Sequence, residues 1–193
     1  MKKYIVGITG ASGSIYGIRL TEELLKNNMQ VHFVITENGR KVMENEIGET
    51  DDIFINRLKD TYSNFITHDI NNMASSIASG SFKTNGMIIM PCSMATLGEI
   101  AMGISKNLLG RSADVCLKER RKLIIVPRET PLNNIHLRNM LYLSEAGAEV
   151  LPAMPGFYHK PETINDMVDF IVGKVLDALN IRNNLFESLG EDR

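Results

Sequence analysis

Two groups of residues in this chain have the types and spacing that handle anionic ligands. The first is Thr9-Gly10-Ala11-Ser12-Gly13. Its glycines let a backbone approach a phosphate closely, and a helix that follows would offer free N–H groups and the positive end of its dipole. The second is Arg111 and Lys118, about two helical turns apart and so on one helix face, with Asp114 between them. Such a stripe either grips a phosphate or remains a solvated face. The glycine turn departs from the dinucleotide, P-loop and nucleophile-elbow fingerprints: it is not G-x-G-x-x-G, has no Walker lysine, and lacks the second glycine of G-x-S-x-G. Ser12 therefore reads as a hydrogen-bonding group rather than a hydrolase nucleophile, with no histidine evidently placed beside it. A tight turn that packs well and binds nothing is the plain alternative. His32 falls in a strand and His136 starts a helix, and neither has Cys or carboxylate spacing around it, so no metal site is expected.

These groups need a frame, and the hydrophobic pattern supplies one. Tyr4–Thr9 is a short apolar run ending in glycines, after which Ile15, Ile18, Leu20, Leu24 and Leu25 recur at helical spacing. Further strands are predicted at Val31–Ile35, Met87–Met90, Leu123–Val126 and Glu149–Leu151. Helices are predicted at Gly39–Glu46, Met94–Met102, Arg111–Arg121, Asn134–Ala146 and Thr163–Leu179. Strands alternating with helices imply an α/β fold, a mostly parallel sheet covered by helices on both faces. In such a sheet ligands bind where loops leave the carboxyl ends of strands. Those ends carry Thr9–Gly13, Thr36–Gly39, Pro91–Thr96, Pro127–Pro131 and Pro152–Tyr158, small, hydroxylated or charged residues suited to an anionic, partly aromatic ligand. Residues 47–85 break the rhythm, being rich in Asn, Ser, Thr and Asp, and are expected to form a polar arm that is functional or makes assembly contacts.

Composition narrows the class. The chain has 193 residues, 44% hydrophobic and 23% charged, which fits one folded domain over residues 1–180 with a loose or partner-docked tail at 181–193. A formal charge of −2 leaves no global positive field for nucleic acid or an anionic membrane, so any anion must be met by a local cluster. No apolar run approaches the roughly 20 residues that span a bilayer, and no signal peptide is evident. The two cysteines, Cys92 and Cys116, are expected to be free thiols in a reducing, cytoplasmic setting. The 11 methionines read as core filling.

Taken in order and spacing, Gly10-Ala11-Ser12-Gly13 with Tyr16-Gly17, Pro91-Cys92-Ser93, Lys118-Glu119-Arg120-Arg121, Pro127-Arg128-Glu129 and Pro155-Gly156-Phe157-Tyr158 closely resemble the UbiX-like (UbiX/Pad1) flavin prenyltransferases. The resemblance runs from about Lys3 to Leu179. It implies a three-layer, Rossmann-like (flavodoxin-like) flavoprotein that joins a dimethylallyl group from dimethylallyl monophosphate to N5 and C6 of reduced FMN, without a metal. The prenylated FMN would serve a UbiD-type decarboxylase. By motif, Gly10, Ala11, Ser12, Thr36, Ser93, Met94, Ala95, Thr96 and Arg128 would hold FMN. Ser79, Gly80, Arg111, Lys118, Glu129, Tyr158 and Lys174 would surround the prenyl phosphate, with Glu46 nearby. Breaking an allylic carbon–oxygen bond leaves charge on phosphate, which fixed cations and a proton donor can stabilise. Arg111, Lys118 and Lys174 would be electrostatic clamps, Tyr158 a hydrogen-bond donor and Glu129 the proton-handling carboxylate, while Ser12 would sit near the flavin's reacting edge.

Two departures from the family pattern stand out. Lys174 occupies a position where many members carry Arg, keeping the charge but losing the bidentate fork. The chain has no Trp, so ring stabilisation of an allyl cation would fall to another aromatic or be absent. The resemblance also implies a homo-oligomer, commonly a dodecamer, with sites shared between subunits. Competing readings are a flavin-dependent cysteine decarboxylase, whose His and Pro-x-Met-Asn signatures are missing; an NAD(P)-dependent reductase, whose Tyr-x-x-x-Lys pair is absent from this chain; and a non-catalytic FMN-binding accessory subunit.

Overall fold

The computed structural model describes residues 1–186. The chain runs β1 (Lys3–Ile8), α1 (Ser14–Lys26), β2 (Gln30–Ile35), α2 (Glu37–Ile47), α3 (Asp51–Thr61), β3 (Phe65–Thr67), a 3₁₀ turn (Ser76–Ala78), β4 (Gly86–Cys92), α4 (Met94–Ala101), α5 (Leu108–Lys118), β5 (Leu123–Pro127), α6 (Asn134–Glu145), β6 (Glu149–Val150) and α7 (Ile164–Ala178). The six strands lie in the order β3-β2-β1-β4-β5-β6, and every pairing in this sheet is parallel. The expected α/β fold with helices on both faces is therefore present, and the order reverses between β1 and β4.

The strands are apolar without polar alternation because both faces are covered. Val6, Ile8, Val31, Phe33, Ile88, Met90 and Ile124 point to one layer, packed with residues of α1, α2, α3 and α7. Ile5, Val34, Met87, Ile89, Leu123 and Ile125 point to the other, where α4, α5 and the 3₁₀ turn close the core. Each fully buried branched side chain contributes about 1.5–3 kcal/mol by leaving water. Gly17 lets α1 lie directly on β4: a Cβ there would stand 2.1 Å from the carbonyl oxygen of Met90.

Three expectations need correction. Residues 47–85 are not a polar arm throughout. Phe54, Leu58 and Phe65 are buried in the first core, and β3 pairs with β2 at the sheet edge. Phe54, Ile55 and Leu58 fall at helical spacing on α3, a period that the polar residues around them outweighed, while β3 is too brief to show one. The basic helix predicted at Arg111–Arg121 starts earlier and ends at Lys118, with Asn107 as its cap, whose side chain accepts from the Gly110 N–H at 3.0 Å. Arg120 then adopts a left-handed φ of 52°, which stops the helix before Arg121. Of the tail, Ile181 is buried and Phe186 packs on Phe170 with ring centroids 5.0 Å apart; residues 187–193 lie outside the described residues.

Candidate active site

Loops after β1, β2, β4 and β5 meet at the carboxyl edge of the sheet, around the crevice where the strand order reverses. Thr9, buried at the end of β1, ties the two sides of that crevice together. Its N–H donates to the carbonyl of Pro91 at 3.2 Å, its hydroxyl donates to the same oxygen at 2.9 Å, and that hydroxyl accepts from the Ser93 N–H at 2.7 Å. The next residue, Gly10, abuts α2, since a Cβ on it would lie 2.6 Å from that of Asn38. Gly13 then turns the chain into α1 with φ 101°, a conformation open to glycine at little cost.

Gly13 leaves α1 without a side-chain cap of its own, and the cap comes from elsewhere. Helix α2 begins beside the end of β2 and crosses the carboxyl edge, so that its last turn delivers Glu46 to the start of α1. The Glu46 carboxylate accepts from the Gly13 N–H at 3.0 Å by both oxygens; its Oε2 also accepts from the Ser14 N–H at 2.9 Å and the Ser14 hydroxyl at 2.6 Å. Partial burial opposes its charge, but hydrogen bonds from the Ser12 and Ser14 hydroxyls and the Gly13 and Ser14 amides outweigh that effect, and the carboxyl titrates below its ordinary value. The expectation that α1 offers free N–H groups to a phosphate is thus corrected: the Gly13 and Ser14 donors are already engaged by a carboxylate, which the helix dipole favours as it would an anion.

Anion-binding capacity shifts to α4. Ser93 caps it, its Oγ accepting from the Thr96 N–H at 3.3 Å, while the amides of Met94 and Ala95 in the first turn have no intrahelical acceptor. Thr36 caps α2 through Gly39 N–H at 3.1 Å. From β5, Arg128 reaches across and donates from Nε to the carbonyl of Ser12 at 3.1 Å. Beside Arg128, between the start of α1, the end of α2 and the start of α7, opens a cleft of about 520 Å³, with Ser12, Tyr16, Glu46 and Arg128 on its polar side and Pro155 and Met167 among its apolar wall. An apolar wall facing a few fixed polar groups, on the same carboxyl edge as the spare amides of α4, suits an aromatic cofactor carrying a phosphate, as FMN does.

The flavoprotein family model matches residues 1–176. A flavin prenyltransferase UbiX from Halalkalibacterium halodurans is 54% identical over 194 aligned residues, covering 98% of this chain and 94% of the relative. The chain belongs to the flavin prenyltransferase family. Two solved structures of relatives have the same fold. One, AnUbiX (PadA1) in complex with FMN and dimethylallyl pyrophosphate, superposes with a TM-score of 0.92 at 38% identity, covering 100% of this chain and 99% of that one. The other, a dodecameric FMN-dependent UbiX-like decarboxylase from Escherichia coli O157:H7, gives 0.90 at 40% identity, covering 96% and 98%.

Within this prenyltransferase the residues singled out in the sequence fall into three places. Gly10, Ala11, Ser12, Thr36, Glu46, Ser93–Thr96 and Arg128 surround the carboxyl-edge crevice, with Glu129 exposed beside Arg128, its carboxylate accepting from the Thr130 N–H at 3.0 Å. Tyr158 and Lys174 gather around Phe170 of α7, and neither lines the cleft. The Tyr158 ring packs edge-on to Phe170 at 5.6 Å, and the Lys174 ammonium lies 5.8 Å from the Phe170 ring and 4.9 Å from that of Phe186. Ser79, Gly80, Arg111 and Lys118 sit apart, on the opposite layer. Arg111 donates from Nε to the Ala78 carbonyl at 3.3 Å and pairs with Asp114 at 3.0 Å; Lys118 pairs with Glu119 at 2.7 Å, its Nζ 3.1 Å from where a Cβ on Gly80 would be. The predicted sharing of one helix face by Arg111 and Lys118 is thus visible as a common facing on residues 78–80. Arg121 also donates to the carbonyls of Phe82 (2.7 Å) and Gly80, which holds this loop in place.

Sequence reasoning placed Thr9 in the ligand-bearing turn but not as the tie across the crevice, and missed Ser14 as part of the site. A buried hydroxyl closing an apolar strand just before a glycine was the available signal for Thr9; Ser14 carried none, because its partner is 32 residues away.

Proposed function

We propose that the chain transfers the dimethylallyl group of dimethylallyl monophosphate to N5 and C6 of reduced FMN, without a metal, and that the prenylated FMN serves a UbiD-type decarboxylase. The observation that carries this reading is the convergence of Ser12, Glu46 and Arg128 on one cleft at the crevice between β1 and β4. It is supported by 54% identity to a named flavin prenyltransferase along almost the whole chain. Bound there, reduced FMN supplies the nucleophilic flavin atoms. Thr36, the first turn of α4 and Arg128 would hold the anionic end and orient the ring. Ser12 and Glu46 form a hydrogen-bonded pair at the cleft through which a proton is held or moved. Tyr158, Lys174, Arg111 and Lys118 stabilise the charge left on phosphate, and Glu129 handles its proton.

This division of labour requires more than one copy of the chain. Lys118 ends α5 next to the amino end of β5, and Gly80 precedes β4, so the two mark the amino edge of the sheet. A strand the length of β4 separates that edge from the cleft by about 20 Å, too far for one donor molecule to touch both groups in one subunit. We infer a homo-oligomer, as in the dodecameric relative, in which the Gly80–Lys118 patch of one subunit completes the cleft of another. The free cysteines, both buried, suit the cytoplasm, where we place the protein.

The test is anaerobic incubation of the purified protein with reduced FMN and dimethylallyl monophosphate, followed by mass and absorption analysis of the released flavin. A five-carbon adduct is expected; unmodified FMN at full protein occupancy would overturn the reading and leave a flavin carrier.

A further inference from the structure

Ser14 is the first residue of α1 and is fully buried, yet its hydroxyl serves neither its own helix cap nor the core. It points instead to Glu46 Oε2 at 2.6 Å, while its backbone N–H reaches the same oxygen at 2.9 Å. That oxygen also takes a share of the Gly13 N–H, at 3.0 Å. The other oxygen, Oε1, has that shared Gly13 N–H alone among these donors, at 3.0 Å. The carboxylate is therefore anchored asymmetrically: one oxygen is saturated from below by α1, and the other retains lone pairs. An O–H···O⁻ contact as short as this one belongs to the strong, charge-assisted class and resists rotation of the carboxylate.

We propose that Ser14 is a positioning residue for the reaction, its hydroxyl locking Glu46 by Oε2 so that Oε1 stays available to the Ser12 hydroxyl and to a ligand in the cleft. This deepens the prenyltransferase reading and rests on it for the reaction concerned. Ser14 itself touches no ligand; it acts through Glu46. The other charged or titratable groups lining the cleft are Tyr16 from α1 and Arg128 from the loop after β5. The lining residues from α7 and the segment before it, such as Pro155, Ile164 and Met167, carry no charge, and neither does Ile47 from α2. Among the described residues no second carboxylate lines the cleft.

The experiment compares wild type with Ser14→Ala, a substitution that removes only the hydroxyl and keeps a good helix former at the first position of α1. Carboxyl-carbon NMR, with Glu46→Gln to assign the signal, reads the titration of Glu46 directly in the protein without prenyl donor. Loss of one charge-assisted hydrogen bond is expected to move that titration upward by about one pH unit. In the prenylation assay the acid limb of kcat should move upward by the same amount, with KM for the donor unchanged. A packing defect would change stability but would not shift that limb. If Glu46 titrates identically in Ser14→Ala and wild type, the proposal is overturned, whether or not the protein prenylates flavin. If Glu46 shifts while wild type forms no adduct, the functional reading fails and the positioning of the carboxylate by Ser14 stands.

Discussion

Acid should destabilise this protein through a histidine pair of which sequence inspection placed only one member, His32, and that merely in a strand. His32 is only 3% exposed in β2; its Nδ1 meets His68 Nε2 at 2.9 Å, and His68 Nδ1 meets the Ser75 hydroxyl at 2.8 Å. The other His32 ring nitrogen is buried with no partner among the described residues, and the ring is enclosed by His68 and Phe82. Burial, reinforced by the neighbouring His68 and Lys3, pushes the His32 pKa from 6.5 to about 4, and burial also lowers that of His68. A histidine with a depressed folded-state pKa binds its proton more readily when unfolded. The stability it protects is therefore intact above 6.5 and is lost as pH falls towards 4. For His32 alone the gap is worth about 3 kcal/mol when both states are protonated, and about 2 kcal/mol at pH 5. Since the total stability of a domain is about 5–15 kcal/mol, this is a large share. Urea unfolding of wild type and His32→Phe across this range is the assay. The wild type should lose about 2 kcal/mol more than the variant between pH 7 and pH 5, whatever their difference at neutrality. Parallel pH profiles, or an NMR titration of His32 near its ordinary value, would refute the reasoning. The functional corollary is that the pair ties β2 and β3 to the segment leading into Ser79 and Gly80, so the phosphate patch should loosen before the sheet does.

Three other perturbations separate roles within the site. Gly17→Ala places a methyl 2.1 Å from the Met90 carbonyl oxygen and must push α1 off β4; a loss of about 1–3 kcal/mol in urea unfolding is expected, with weaker FMN binding by fluorescence titration. Thr9→Val removes the hydroxyl bridge at the crevice and leaves the Ser93 N–H without its acceptor, so stability should fall by about 1–3 kcal/mol and FMN should dissociate faster; unchanged flavin release would show that the two strand ends need no tie. Lys118→Ala, exposed and distant from the cleft of its own chain, should leave FMN affinity intact while prenylation falls by about 100-fold. Equal loss of flavin binding would contradict the separation of the two patches.

What the sequence determined by itself is whatever follows from short-range pattern. Apolar runs bounded by Gly and Pro marked the buried strands, helical spacing marked α1 and α7, and the alternation of the two required a parallel sheet with its ligand loops at the carboxyl edge. The glycine turn and the loop after β4 were legible for the same reason: each is contiguous, and its composition states its backbone requirement. The edge strand β3 was not legible, because three residues show no period. Tertiary structure alone decided that α2 crosses the edge of the sheet and brings Glu46 to the amides of Gly13 and Ser14. Hydrogen bonds spanning 32 and 33 residues have no local signature, since the orientation of α2 depends on what it packs against. Tertiary structure alone also separated Arg111, Lys118 and Gly80 from the cleft. A motif in the sequence records which residues occur together, but the length and direction of the intervening strand decide whether one subunit can use them at one point.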